Sequence, residues 1–415
     1  MRIVLTFPSS ELIRSTLLRL FVLLFIALSV APAAVLGQGV EKDVCPRPRA
    51  GSIVPEPPDL RSESGVLRVE LTYTSFRDAL GQMHYCYRDN NGSQAPNLRL
   101  HPGDWLVLTL KNELKGDGAP PHQHAVAPTL VGGACGTGAM DGLSTNLHFH
   151  GLNVAPVCHQ DDVLHTLISP SDPPFEYRLQ VPADQPPGGR ADFIMQGPPA
   201  GVYGNLITQA VDTGPAGEND PVRPLANIMA NADAPEPWST LPASGALPFA
   251  AQDSTWLGNA KPVHVRKLYF SERPSDPSNA NSRTEFMVTV DGQEHAPYDP
   301  RSTAPNMTVR QGDVKEWVIE NRTQELHAFH IHQLHFLLEE SNGVRVEEPF
   351  LRDTVNVGFW DGKSASYPRV KLRMDFRSPR LVGTFVYHCH LLEHEDGGMM
   401  GTIHVVIGYQ GVAVR

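Results

Sequence analysis

The stretch Phe385-Val-Tyr-His-Cys-His-Leu-Leu-Glu-His-Glu-Asp-Gly-Gly-Met-Met400 opens as an apolar strand and closes in an acidic, glycine-rich turn. Successive side chains of a strand face opposite sides. Cys389 therefore points one way, and His388 and His390 point together the other way. On the cysteine side, Cys389, His394 and Met399 offer a thiolate, an imidazole and a weak axial thioether. One more imidazole completes the two-His, one-Cys, axial-Met set of a blue-copper site, and the thiolate–thioether combination selects copper over zinc. On the opposite side, the two histidines can address a second metal centre. That centre is only a few covalent bonds from the Cys389 sulfur. A buried strand with incidental histidines is the plainer reading. Four soft or borderline ligands at these spacings argue against it.

Two upstream stretches repeat the same-face pairing. In His327-Ala-Phe-His-Ile-His332, His330 and His332 share a face, and His327 can turn to the other side as the second imidazole of the blue site. In Thr145-Asn-Leu-His-Phe-His-Gly151, His148 and His150 are again two residues apart, about 6.6 Å along a strand. Such pairs let each ring serve a different member of a compact metal cluster.

Taken together, the H-C-H-x3-H-x4-M, H-x-x-H-x-H and H-x-H-G patterns resemble the copper motifs of the multicopper oxidases. The closing stretch Phe385 to Met400 is similar to that of the bacterial laccase-like and bilirubin-oxidase-like members. The resemblance covers roughly residues 60–210 and 263–408. It implies an all-β fold of two cupredoxin-like Greek-key β-sandwiches joined by an irregular linker, after a signal peptide. It also implies a type 1 copper held by His327, Cys389, His394 and Met399. His148 and His330 correspond to type 2 ligands, and His150, His332, His388 and His390 to type 3 ligands. In the intact family, electrons from a small-molecule donor (phenolic, aromatic-amine or metal-ion) collect there and dioxygen becomes water. Asp161, or its neighbour Asp162, stands where these oxidases place a carboxylate that feeds protons to the oxygen site. Glu395 is a second candidate relay.

One departure is plain. After Val181-Pro-Ala-Asp-Gln-Pro-Pro-Gly-Gly189, a second H-x-H strand is expected, and no histidine occurs between His165 and His264. Two of the eight expected cluster ligands therefore have no match. His122-Gln-His124 lies in a proline-rich polar loop and reads as solvated. Two functions follow. One is a laccase-like oxidase with a rebuilt cluster. The other is a non-catalytic type 1 copper protein for electron transfer or copper binding. A two-domain nitrite reductase is disfavoured, because the type 1 ligands lie in the C-terminal half. Two-domain oxidases build the cluster between neighbouring subunits, usually as a homotrimer. The connection here is also long enough for both halves of one chain to meet.

The remaining chain fits this outline. Residues 1–37 read as an export signal, with Arg14 and Arg19 ahead of the apolar run Leu20 to Leu36. Its loss would take the net charge from −11 to −13, since it carries three Arg and one Glu. An acidic exported chain, periplasmic or extracellular, argues against nucleic acid and, after signal cleavage, against a membrane as partner. Turn residues are abundant, with 35 Gly and 37 Pro separating short alternating runs. The expected layout is an N-terminal sandwich at 60–210, a linker at 211–262 and a C-terminal sandwich at 263–408. With Cys389 given to copper, four cysteines remain; sequence proximity favours Cys45–Cys86 and Cys135–Cys158 as disulfides.

Overall fold

The computed structural model describes residues 2–4, 43–115, 135–136, 142–183, 197–199, 201–230, 255–279, 281–348 and 350–408. These are almost entirely strand and turn; the helices are single short turns such as Leu392–Asp396. The His122-Gln-His124 loop and the Gly189–Arg190 junction lie outside the described residues, as does the 1–37 export segment apart from Arg2–Val4. Among the described residues, no helix is long and apolar enough to cross a membrane.

In the N-terminal half, strands Val66–Arg77 (β1), Met83–Asp89 (β2), Trp105–Asn112 (β3) and Phe175–Gln180 (β4) form one sheet in the order β2-β1-β3-β4. Strand β4 shows why. Phe175, Tyr177 and Leu179 are buried while Glu176, Arg178 and Gln180 are exposed, the period-two pattern of a half-buried strand. They pack with Leu67, Leu106, Leu108, Leu110 and Ile168 into one core.

The segment facing this sheet, residues 142–170, forms no ladder beyond the Thr145–Ile168 bridge. Side chains satisfy its backbone instead. The Asn112 amide donates to the carbonyls of Leu143 and Ile168 at 2.7 and 2.8 Å, and Leu147 N–H donates to the Tyr177 hydroxyl at 3.0 Å. The disulfide Cys135–Cys158 ties the segment down, and Cys45–Cys86 ties the chain start to β2. Both pairings are the ones expected from sequence proximity. His148 and His150 lie on this braced segment rather than on the strand expected for them.

The C-terminal half is a two-layer sandwich. One sheet has the order β6-β5-β8-β12-β10, from Thr284–Val290 (β6), His264–Pro274 (β5), Val314–Asn321 (β8), Arg369–Asp375 (β12) and Phe336–Ser341 (β10), with Val344–Arg345 at its edge. The other has the order β7-β14-β13-β9-β11, from Met307–Arg310 (β7), Met400–Val406 (β14), Gly383–Cys389 (β13), His327–Ile331 (β9) and Thr354–Val357 (β11). β5 pairs with β8, and β7 with β14, in parallel, so the chain is not a simple meander. Between the layers lie Phe270, Trp317, Phe329, Phe336, Phe376, Phe385 and Tyr387, all essentially inaccessible. Trp317 meets Phe329 and Tyr387 edge-on. Trp317→Ala is expected to lower unfolding free energy by about 3–5 kcal/mol, measured by urea denaturation.

Two parts of the expected layout differ. Tyr203–Ile207, read as the closing strand of the first sandwich, pairs instead with Pro224–Met229 and with Arg2–Val4 in a separate three-stranded sheet, part of a smaller unit. The connecting region is also not wholly irregular. It carries Pro224–Met229 and the helical turn Thr255–Asn259. Local alternation marks a strand but not its partner, and so the pairing was not readable.

Candidate metal centre

Register places the first group of ligands. In β9 and β13, Phe329 lies opposite Cys389 and His330 opposite His388. Directly opposed residues share a face. Cys389 thus joins Phe329 on the core side, while His330 and His388 point to the other side together.

On the core side, Cys389 Sγ stands 3.6 Å from both His327 Nδ1 and His394 Nδ1, which are 2.9 Å apart. The point equidistant from these donors lies about 2.0 Å from each, the length of a metal–imidazole bond. All three residues are buried. His394 arrives through the turn Leu392–Asp396, and Met399 follows, fully buried in the same core. Met399 is held by its backbone: its N–H donates to His394 C=O at 2.9 Å, and its C=O accepts from Cys389 N–H at 3.0 Å. This close return requires Gly398, with φ +106° and Pro297 where a Cβ would go.

The surrounding bonds set the imidazole tautomer. The Thr323 hydroxyl donates to Asn321 Oδ1 or to Glu325 C=O, at 2.8 and 3.0 Å. It can therefore only accept from His327 Nε2–H, 2.8 Å away. The Nδ1 lone pair is left facing Cys389. His394 Nε2 stands 3.2 Å from Glu325 Oε1, and burial, with Glu272 nearby, raises that carboxyl to about 8. Burial holds His327 well below its ordinary pKa, with the His394 ring adding to this, and burial takes His394 to about 4. Burial also pushes the Cys389 thiol up to about 11. Neutral imidazoles beside a thiol that ionises when a cation displaces its proton form a donor set suited to a soft metal.

On the other side, six imidazoles converge, two of them from the N-terminal half. Two close Nε2 pairs stand out, and the rings of His148 and His332 stack at 3.7 Å. His150 Nε2 faces His390 Nε2 at 3.0 Å, and His332 Nε2 faces His388 Nε2 at 3.2 Å. The rings of His148 and His330 lie 5.8 Å apart, and the Nε2 atom of each is buried without a protein partner. His148, His330 and His332 bring ligand atoms within 4.8 Å of one another. Three of the opposite nitrogens are held by acceptors, whereas His332 Nδ1 is buried without a hydrogen-bond partner. His330 Nδ1–H donates to Asp353 C=O at 2.9 Å, His388 Nδ1–H to Cys389 C=O at 2.9 Å, and His148 Nδ1–H to the Asp161 carboxylate at 3.0 Å. His150 Nδ1 stands 3.3 Å from Asp353 Oδ2. Each such bond turns a lone pair inward, as metal-ligating histidines require. Burial, helped by neighbouring rings, holds His330 and His332 well below the ordinary histidine pKa, and burial brings His388 to about 4. The orphaned buried nitrogens and the inward lone pairs fit metal ions at this place.

The structure separates the two adjacent aspartates. Asp161 is buried behind His148 and also accepts from Phe149 N–H at 2.8 Å; Asp162 engages His165 Nδ1 at 2.9 Å instead. Glu395 lies 3.3 Å from His388 Nδ1, and burial raises its carboxyl to about 7, with Asp396 contributing. His335 bonds Asn153 Oδ1 at 2.8 Å, and His404 bonds the Thr384 hydroxyl at 2.8 Å. Sequence reading passed over Thr323, Glu325, Gln333 and Asp353. The only available signal was polar residues beside buried ligands. Both halves of the centre come from one chain, so the between-subunit arrangement expected from two-domain relatives is not needed to bring these imidazoles together.

Residues 272–408, which carry nine-residue spacing from His390 to Met399 and the His327 triplet, match the multicopper oxidase family model. Over these residues, a third of the chain, the sequence is similar to the multicopper oxidases. Two curated members of this family, multicopper oxidase mco of Staphylococcus aureus and its namesake in Staphylococcus haemolyticus (strain JCSC1435), are each 31% identical over 122 residues. Those residues are 28% of this chain and 24% of each relative, so the match spans about a quarter of the relatives' length. A solved multicopper oxidase from Campylobacter jejuni, described as a metallo-oxidase, superposes with a TM-score of 0.57. It is 18% identical, with 86% of this chain and 96% of that chain covered, a likeness of fold. The likeness of fold thus extends over most of the chain, and the match to the family model lies in its C-terminal third.

Proposed function

We propose that this chain is a copper-dependent oxidoreductase that oxidises small-molecule donors one electron at a time and passes the electrons to dioxygen. The observation that carries this reading is the buried triangle of Cys389, His327 and His394, placed back to back with His388 on strand β13 and His390 just past its end. His327, Cys389, His394 and Met399 hold the type 1 position. His148 and His330 hold the type 2 position. His150 with His390, and His332 with His388, hold the type 3 pair. Copper supplies the electron-accepting and dioxygen-reducing chemistry when bound.

The chain's own residues do the rest. Thr323 orients the His327 imidazole, and Glu325 lies beside that of His394. The Cys389 backbone joins the electron-receiving face to the dioxygen face without a through-space gap. Asp161 holds His148 in its ligating tautomer. Glu395, with a carboxyl near neutrality and close to His388, is placed to take and release protons. Phenolic, aromatic-amine and metal-ion donors all remain compatible with this site.

A second reading has a specific basis. Among the described residues, each of the two type 3 positions has two imidazoles, where the lost H-x-H strand would bring a third to each. A non-catalytic type 1 copper protein would result if those positions do not load. Copper per chain on purified, copper-loaded protein separates the readings. A value near four supports the oxidase; a value near one, with the blue colour present, supports the electron carrier and sinks the oxidase.

A further inference from the structure

We infer that Gln333 is a positioning residue that holds His148 in place through Asp161; the inference rests on the proposed metal role of His148. Gln333 directly follows His332. Its backbone is left-handed, with φ +60°, which is uncommon for a residue bearing a side chain. Leu334 N–H donates to His332 C=O at 2.8 Å, closing a three-residue turn around Gln333. Such turns are rare and strained. The side chain is buried, and its Oε1 atom has no protein partner. A strained backbone and an unsatisfied buried carbonyl both weigh against this residue, and such features persist where surrounding structure or function demands them.

What the turn achieves is visible in the contacts. The Gln333 amide reaches across to the N-terminal half and donates to Asp161 Oδ2, and also to Asp161 C=O at 3.3 Å. Asp161 accepts from His148 Nδ1–H through that same carboxylate. His148 has no ladder strand to hold it, so its position depends on such bonds. The chain His332–Gln333–Asp161–His148 therefore links imidazoles from the two sandwiches. Two residues on, His335 repeats the reach by bonding Asn153.

The test uses Gln333→Leu, which keeps bulk and removes the donor, and Gln333→Gly, which suits the backbone and removes the side chain. Copper-loaded full-length protein is read by chelator competition, by the type 2 signal in electron paramagnetic resonance, and by the blue absorption. In both variants the blue absorption should match wild type. Copper at the His148–His330 position should bind about 10–100-fold more weakly, with an altered resonance signal. Adding either change to Asp161→Asn should cause little further loss, because both act through one path. Wild-type affinity and signal in Gln333→Gly would overturn the inference, whatever Gln333→Leu shows. Loss of the blue absorption in both variants would mean that Gln333 supports the fold, and would overturn it too. A wild-type chain with no type 2 signal would instead remove the metal reading itself.

Discussion

Cys389→Ser is expected to abolish the blue absorption and all donor oxidation while leaving the chain folded. The exchange is nearly isosteric at a buried position, so the core around Phe329 and Tyr387 is preserved. What changes is ligand chemistry. A serine hydroxyl is a hard donor that stays protonated, whereas the thiol gives up its proton to a soft cation and bonds it covalently. His327 and His394 would remain within reach of a metal, since the Thr323 bond holds the first and the turn Leu392–Asp396 places the second independently of Cys389. Some copper could therefore stay bound, without colour. Activity should fall by more than about 100-fold, the upper range for changes that only perturb a ligand from behind. Visible absorption, copper content and oxygen uptake on one sample check this. A surviving blue band would sink the type 1 assignment.

His150→Ala should have the opposite spectral outcome: blue absorption kept, dioxygen reduction lost. His150 contributes nothing to the Cys389 triangle. Among the described residues, it is one of two imidazoles at its position, facing His390 at 3.0 Å. Removing it leaves a single ring there, and a loss of oxygen uptake beyond about 100-fold is expected. The type 1 site should still be reduced by donor and remain bleached, because its electrons have no outlet. The change also leaves the buried Asp353 carboxylate, now held low by His150, without that partner. A stability loss of about 1–3 kcal/mol should accompany it. Unaltered turnover would refute the assignment of His150 to the oxygen-reducing site.

How much of this was legible beforehand depended on distance along the chain. Cys389 against His388 and His390 follows from strand periodicity alone, and β13 with β9 confirms that geometry. The C-terminal sandwich, with its alternating strands and turn residues, was equally readable. The N-terminal ligands were readable as residues but not as structure. His148 and His150 sit on a braced loop, because Asn112 and Tyr177 replace the ladder that a strand would have supplied. Tyr203–Ile207 alternates like any strand, yet pairs elsewhere. Alternation encodes burial of a face and is silent about the neighbour.

The sequence by itself determined the candidate donor atoms, and in the C-terminal half their sidedness: which residues carry imidazole, thiolate and thioether, and that Cys389 and His388 face opposite sides of one strand. These depend on residues within a few positions of each other, where backbone geometry is fixed by local period. Only the tertiary structure decided what stands behind each ligand. Asp161 rather than Asp162 supports His148, Asp353 supports His150, and Gln333 reaches Asp161 across 172 residues of chain. It also decided that His150 meets His390, 240 residues away, within one chain. Such contacts arise from sheet register and the packing of one sandwich against another, and no local pattern specifies them.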